Sequence, residues 1–229
     1  MKKGINIWSF VGKSNKEAMK LAKDAGFEGI ELALCSDGEI SMTSSDEELL
    51  SIRAYADELG IKIPSLSSGL CWTDSLTADD PEERQRAFDM VVRQLYCAKM
   101  IGAETILVIP GSVSVEFVPE WGVVDYDVVW DRALEQVKKL APIAEEMGVQ
   151  IGLENVWNKF LLSPLEMRNF IDAVGSKWVG AYFDTGNVVY SGYPEQWIGR
   201  PSVPHSRPLV TMAGQPERWS PNTYRAVIS

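Results

Sequence analysis

Five times along this chain a helix-like run ends at a glycine, and an apolar run follows within a few residues. The junctions are Ala25-Gly26-Phe27, Leu59-Gly60-Ile61, Ile101-Gly102-Ala103, Met147-Gly148-Val149 and Val174-Gly175-Ser176. Glycine at such a point supplies the left-handed residue that closes an α-helix. The helical runs also open with recognisable caps. Ser14-Asn15-Lys16-Glu17 and Ser45-Asp46-Glu47-Glu48 fit the capping box, while Asp80-Pro81 and Ser163-Pro164 place proline at the first helical position. Asp125 or Asp127 is expected to cap the long helix that runs to Met147. Strands are expected at 5–9, 29–33, 62–66, 105–109, 149–154 and 179–184.

Strict alternation of strand and helix implies parallel strands with right-handed crossovers. That leaves a doubly wound sheet or a (β/α)8 barrel. A doubly wound nucleotide binder would carry a glycine-rich first turn. Here Gly12-Lys13-Ser14 resembles the end of a phosphate loop, but that motif needs glycine at position 7, where Ile7 stands. The expected architecture is therefore an α/β barrel, with six β/α units over residues 1–198.

From Gly199 onward the periodicity stops. Five of the twelve prolines fall in 199–229 and lysine disappears, while four arginines against one glutamate leave the stretch at +3 in a chain of net charge −10. This segment is expected to be an irregular Pro/Arg-rich tail, frame-shifted or disordered, with the last two β/α units of the barrel missing or replaced by it. His205, the sole histidine, lies in Val-Pro-His-Ser-Arg-Pro. Its flanking prolines oppose a central strand, so it is not expected to be a ligand.

The chemistry is concentrated between Val149 and Asn187. Two apolar runs there each end in a carboxylate, Glu154 after Ile-Gly-Leu and Asp184 after Ala-Tyr-Phe, 30 residues apart. One β/α unit separates them, which puts them on neighbouring strands. Ligands bind at the carboxyl ends of parallel strands, so both acids are candidate site residues. The competing structural readings are a buried acid paired with a basic residue for Glu154 and a turn-forming Asp in Asp-Thr-Gly-Asn for Asp184. Glu31 is read either as a barrel-interior pairing group or as a substrate contact.

GLENVWN, one β/α unit and then AYFDTGN, together with Trp8 on the opening strand and Gly-Ile-Glu-Leu on the second, resemble the sugar isomerase/epimerase superfamily of xylose isomerase-like TIM barrels. Ketose 3-epimerases are among its members. The resemblance covers roughly residues 1–198. It implies a divalent metal at the barrel mouth, with Glu154 and Asp184 matching the ligands of strands five and six. Hard oxygen donors favour Mn2+ or Mg2+, with Co2+ admissible. It further implies proton transfer beside a carbonyl through an enediolate, with Glu154 as catalytic acid/base as well as metal ligand. Asn158, Lys159 and Asn187 would contact the substrate, although several relatives carry His at the place of Asn187. Trp8 and Trp72 would wall one face of the sugar, the competing reading being core or rim packing. The strand-seven His and strand-eight Glu of the family find no match.

The expected function is thus a metal-dependent sugar or sugar-phosphate isomerase or epimerase acting on a small ketose or ketose phosphate, with an inactive truncated form within that expectation. The alternatives are a non-catalytic truncated barrel and, on the same fold, a metal-dependent endonuclease. One histidine and a net charge of −10 oppose the endonuclease and disfavour nucleic acid or an anionic membrane as partners. Three scattered cysteines without a CxxC pattern point to a reducing compartment. With no credible signal or membrane-spanning run, a cytoplasmic protein is expected. Relatives commonly associate, which makes a homo-oligomer an open expectation.

Overall fold

Six strands alternate with helices in the computed structural model, which describes residues 2–189, 192–198, 210–213 and 226–228. The order is β1 (Gly4–Asn6), α1 (Asn15–Asp24), β2 (Gly29–Leu34), α2 (Asp46–Leu59), β3 (Ser65–Ser68), α3 (Pro81–Ile101), β4 (Thr105–Val108), α4 (Tyr126–Met147), β5 (Gln150–Glu154), α5 (Pro164–Val174) and β6 (Val179–Asp184). Each strand pairs in parallel with the next, from β1 to β6. The expected barrel wall is present. The helices begin and end where the punctuation places them. Ser14 and Ser45 make complete capping boxes, and all five junction glycines have positive φ, between 64° and 83°.

After β6 come two short helices, α6 (Thr185–Val189) and α7 (Glu195–Ile198). Trp197 of α7 stacks on Phe183 at 5.6 Å and covers the outer side of β6. Among the described residues no strand–helix unit follows. Val210–Ala213 (β7) runs parallel beside β6, and Ala226–Ile228 (β8) pairs antiparallel with β7. The rest of 199–229, His205 included, lies outside the described residues.

Most strand boundaries fall within two residues of the sequence expectation, and the two that shift by three do so for local reasons. The first strand stops at Asn6 because its side-chain oxygen accepts the Trp8 N–H at 2.8 Å, turning 7–9 into a single 3-10 turn. The third begins at Ser65 and not at 62. Pro64 has no N–H to give to a ladder, and Lys62 makes only an isolated bridge to Gly29. No helix among the described residues is long and apolar enough to cross a membrane.

The strands are buried on both faces, but the faces differ in kind. Ile30, Leu32, Leu34, Leu66, Ile106, Val108, Ile151, Leu153 and Val179 join the large apolar core shared with the helices. A separate small cluster of Leu107, Ile109 and Tyr182 fills the inside, flanked by Cys71, Trp72 and Val156. Other inward positions carry buried polar side chains, among them Asn6, Glu31, Ser65, Glu154 and Asp184, and they build the site.

Candidate functional site

The inner floor is set by Glu31 on β2, which is fully buried. Its carboxylate accepts from Asn6 Nδ2 on β1, from Ser65 Oγ on β3 at 2.7 Å and from the Tyr182 hydroxyl on β6. Ser65 Oγ also lies 3.1 Å from that hydroxyl. Four strands are thereby tied across the barrel interior. Burial pushes the Tyr182 phenol well above its ordinary pKa, and the charge and hydrogen bond of Glu31 and the charge of Glu154 add to the effect. Tyr182 is thus held as a neutral donor. Gly152 makes room for the ring: a Cβ there would stand 2.7 Å from Tyr182 Cδ2 and 3.0 Å from its Cβ.

The rim lies one residue pair further along. Glu154 at the end of β5 is opposite Tyr182 in the ladder and 2% exposed, and Asp184 at the end of β6 is 5% exposed. The strand alternation puts Gly152 and Glu154 on one face of β5, and Tyr182 and Asp184 on the same face of β6. Asn155, directly after Glu154, accepts the Asp184 N–H at Oδ1 (2.9 Å) and donates Nδ2 to the Asp184 carbonyl (2.8 Å). Asn187 closes the arrangement. Its N–H donates to Asp184 Oδ1 at 2.9 Å, and its Nδ2 donates to the Asn155 carbonyl at 2.8 Å.

The loop after β5 carries the other expected contacts. Asn158 is buried, with Nδ2 donating to the Gly111 carbonyl at 2.6 Å and Oδ1 accepting the Phe160 N–H at 3.1 Å. Its amide is engaged in joining this loop to the one after β4. Lys159 points outward, 3.7 Å from Glu116. Lys159 and Leu161 have positive φ (55° and 52°), uncommon for residues with side chains. Buried Phe160 between them packs on Tyr126 (5.4 Å) and Phe170 (5.9 Å). Leu161 N–H donates to the Tyr126 hydroxyl at 3.1 Å. That hydroxyl in turn donates to Glu166 at 2.9 Å. Burial and Glu166 raise the Tyr126 pKa to about 12.

Trp72 meets Phe117 edge-on at 4.9 Å and stacks on Trp121 at 6.4 Å, so it belongs to an aromatic group with the loop after β4. Trp8 is exposed on the opening 3-10 turn.

Glu154, Asp184 and Asn187 are therefore brought together. Asn158 and Lys159 sit on the adjoining loop with other immediate partners. The floor residues Asn6, Ser65 and Tyr182, and the bridging Asn155, did not stand out in the sequence. Counting back by two from Glu154 and Asp184 would have found Gly152 and Tyr182.

Two nearly buried carboxylates on adjacent strand ends offer hard oxygen donors that suit Mg2+ or Mn2+. Among the described residues no group of three or more His, Cys, Asp and Glu side chains forms a fuller set.

The profile of a family described as xylose isomerase-like TIM barrel matches residues 19–210. A 2-epi-5-epi-valiolone 7-phosphate 2-epimerase of Actinoplanes sp. is 24% identical over 195 residues, 85% of this chain and 66% of that protein. The chain thus spans just under two thirds of that relative's length. A D-psicose 3-epimerase crystallised in the presence of D-fructose superposes with a TM-score of 0.72 at 21% identity, covering 83% of this chain and 66% of that one. The IolI protein, solved with a zinc atom, superposes with a TM-score of 0.74 at 15% identity, covering 97% and 78%.

Proposed function

The chain belongs to the xylose isomerase-like TIM-barrel family, and from that membership we propose that its site serves proton transfer at carbon in a ketose or ketose phosphate, as a metal-dependent isomerase or epimerase. The observation that carries this reading is the pair of buried carboxylates, Glu154 and Asp184, at adjacent strand ends. Carboxylate oxygens are hard donors, and two of them on adjacent strand ends suit a hard divalent cation.

Glu154 and Asp184 would hold Mn2+ or Mg2+. Bound there, the cation would supply stabilisation of the negative charge that develops on the substrate's oxygens. Glu154 is also assigned the proton transfer at carbon, which needs a base beside the reacting centre. Asn187 orients the Asp184 carboxylate, and Asn158 holds the loop beside the mouth. Trp8 and the Trp72–Phe117–Trp121 group are the surfaces offered to a sugar's apolar face.

Glu154→Gln should lower turnover of a ketose by about 10²–10⁴-fold with Mn2+ present. Both Glu154→Gln and Asp184→Asn should weaken Mn2+ binding followed by water-proton relaxation. A wild-type chain that turns over nothing across a ketose and ketose-phosphate panel would sink the catalytic reading. A non-catalytic barrel is the second reading, favoured by the engagement of Asn158 with Gly111 and Phe160 and of Lys159 with Glu116. It predicts that wild type and both variants are indistinguishable in these assays.

A further inference from the structure

We propose that Asn155 is a positioning residue: its side-chain amide stands in for a missing peptide of β5 and thereby sets the spacing of the Glu154 and Asp184 carboxylates. The inference deepens the function proposed above and rests on that reading of the two acids.

The β5–β6 ladder ends at the pair Glu154 and Tyr182, two residues short of Asp184. Beyond Glu154 the backbone leaves the sheet for the loop that carries Asn158, Lys159 and Leu161. There the Asp184 N–H and C=O face the place that β5 has left. The Asn155 carboxamide supplies both, an oxygen for the N–H at 2.9 Å and an NH2 for the carbonyl at 2.8 Å. A carboxamide has the same donor and acceptor as a peptide group, so it extends the ladder without extending the strand. The group is 5% exposed, and buried backbone polar groups that lose their partners are costly.

The consequence is geometric. Because Asn155 follows Glu154 directly, its grip on Asp184 fixes the end of β6 relative to the residue bearing the other carboxylate. Asn187 fixes the side chain itself, through its N–H to Asp184 Oδ1 and its Nδ2 to the Asn155 carbonyl. One closed network thus determines both where the Asp184 backbone lies and which way its carboxylate turns. Asn158 offers an internal control. It is a similarly buried carboxamide four residues after Glu154, but its hydrogen bonds tie the β5 loop to Gly111 and Phe160 and not to β6.

The test compares Asn155→Leu with Asn158→Leu and wild type, with Asn155→Ser replacing the first variant should it not fold. Metal-free crystal structures should show the Glu154–Asp184 carboxylate separation altered by more than about 0.5 Å in the Asn155 variant, beyond the tolerance of a working site, and unaltered in the Asn158 variant. Mn2+ affinity should fall about 10–100-fold in the Asn155 variant, the usual cost of removing a group that orients ligands. It should change little in the Asn158 variant, even where both lose similar thermal stability. An unaltered separation overturns the inference, and so does an unaltered Mn2+ affinity alongside an altered separation. Wild-type protein that binds no Mn2+ rejects the metal reading instead. The separation alone then decides the role of Asn155.

Discussion

The floor and the rim of this barrel hold the same chemical group under nearly the same burial, yet they hold it differently. At the floor, Glu31 takes hydrogen bonds from side chains on three other strands, β1, β3 and β6. At the rim, Asp184 is fastened through its own backbone by Asn155 and through one oxygen by Asn187, all within two neighbouring units. The floor carboxylate is a cross-brace: it converts desolvation cost into contacts that exist only when four strands are assembled. The rim carboxylates are presented at strand ends, where bound ligands are met. A buried acid is therefore not diagnostic of a site by itself. The Glu31 donors come from across the interior, whereas Asn155 and Asn187 set the place and aim of Asp184.

That contrast breaks most severely at Glu31. Glu31→Ala strands the donors of Asn6, Ser65 and Tyr182, and should cost ~3–5 kcal/mol in denaturant unfolding. A loss below about 1 kcal/mol would remove the cross-brace argument. Gly152→Ala comes next, because its Cβ would press on the Tyr182 ring. It should destabilise by ~1–3 kcal/mol and disturb the floor without touching a carboxylate. A neutral outcome would mean that Tyr182 can shift, and that its bond to Glu31 is dispensable.

Tyr126→Phe removes the hydroxyl that joins Leu161 to Glu166, with an expected loss of ~0.5–1.5 kcal/mol. The same hydroxyl gives a pH signature. Its folded pKa, about 12, lies above the ordinary phenol value of 10. Its contribution is therefore complete below pH 10 and lost as pH rises towards 12. Urea unfolding of wild type and Tyr126→Phe at pH 9 and pH 12 should show the difference between them shrinking, and a constant difference would contradict the assignment. The smallest effect on stability is expected at the rim. Asp184→Asn is isosteric and keeps an oxygen for the Asn187 N–H, so it should shift the unfolding free energy by less than about 1 kcal/mol. A loss as large as that of Glu31→Ala would place Asp184 with the floor.

Much of the fold was legible because it is specified locally. Helix ends are written in residues that cap or that tolerate positive φ, and those effects need no distant partner. The boundaries that shifted, at Asn6 and Pro64, did so for equally local reasons of a competing side-chain bond and a missing N–H. The rim acids were legible because they interrupt apolar runs at strand ends. Asn155 was not, since an asparagine leaving a strand looks like any loop residue until Asp184 is brought beside it from 29 positions away. Glu31 stayed open between two roles for the same reason, because one of its donors, Tyr182, is 151 residues distant.

The sequence by itself determined the alternation of strands and helices, the parallel barrel wall and the two carboxylates at neighbouring strand ends. These follow from periodicity, caps and apolar runs, each of which acts within one unit. Only the tertiary structure decided which buried acid braces the interior and which stands at the mouth. It also decided that Asn158 serves its loop while Asn155 grips β6. Hydrogen-bond partners across a barrel are chosen by the register between strands, and no single strand contains that register.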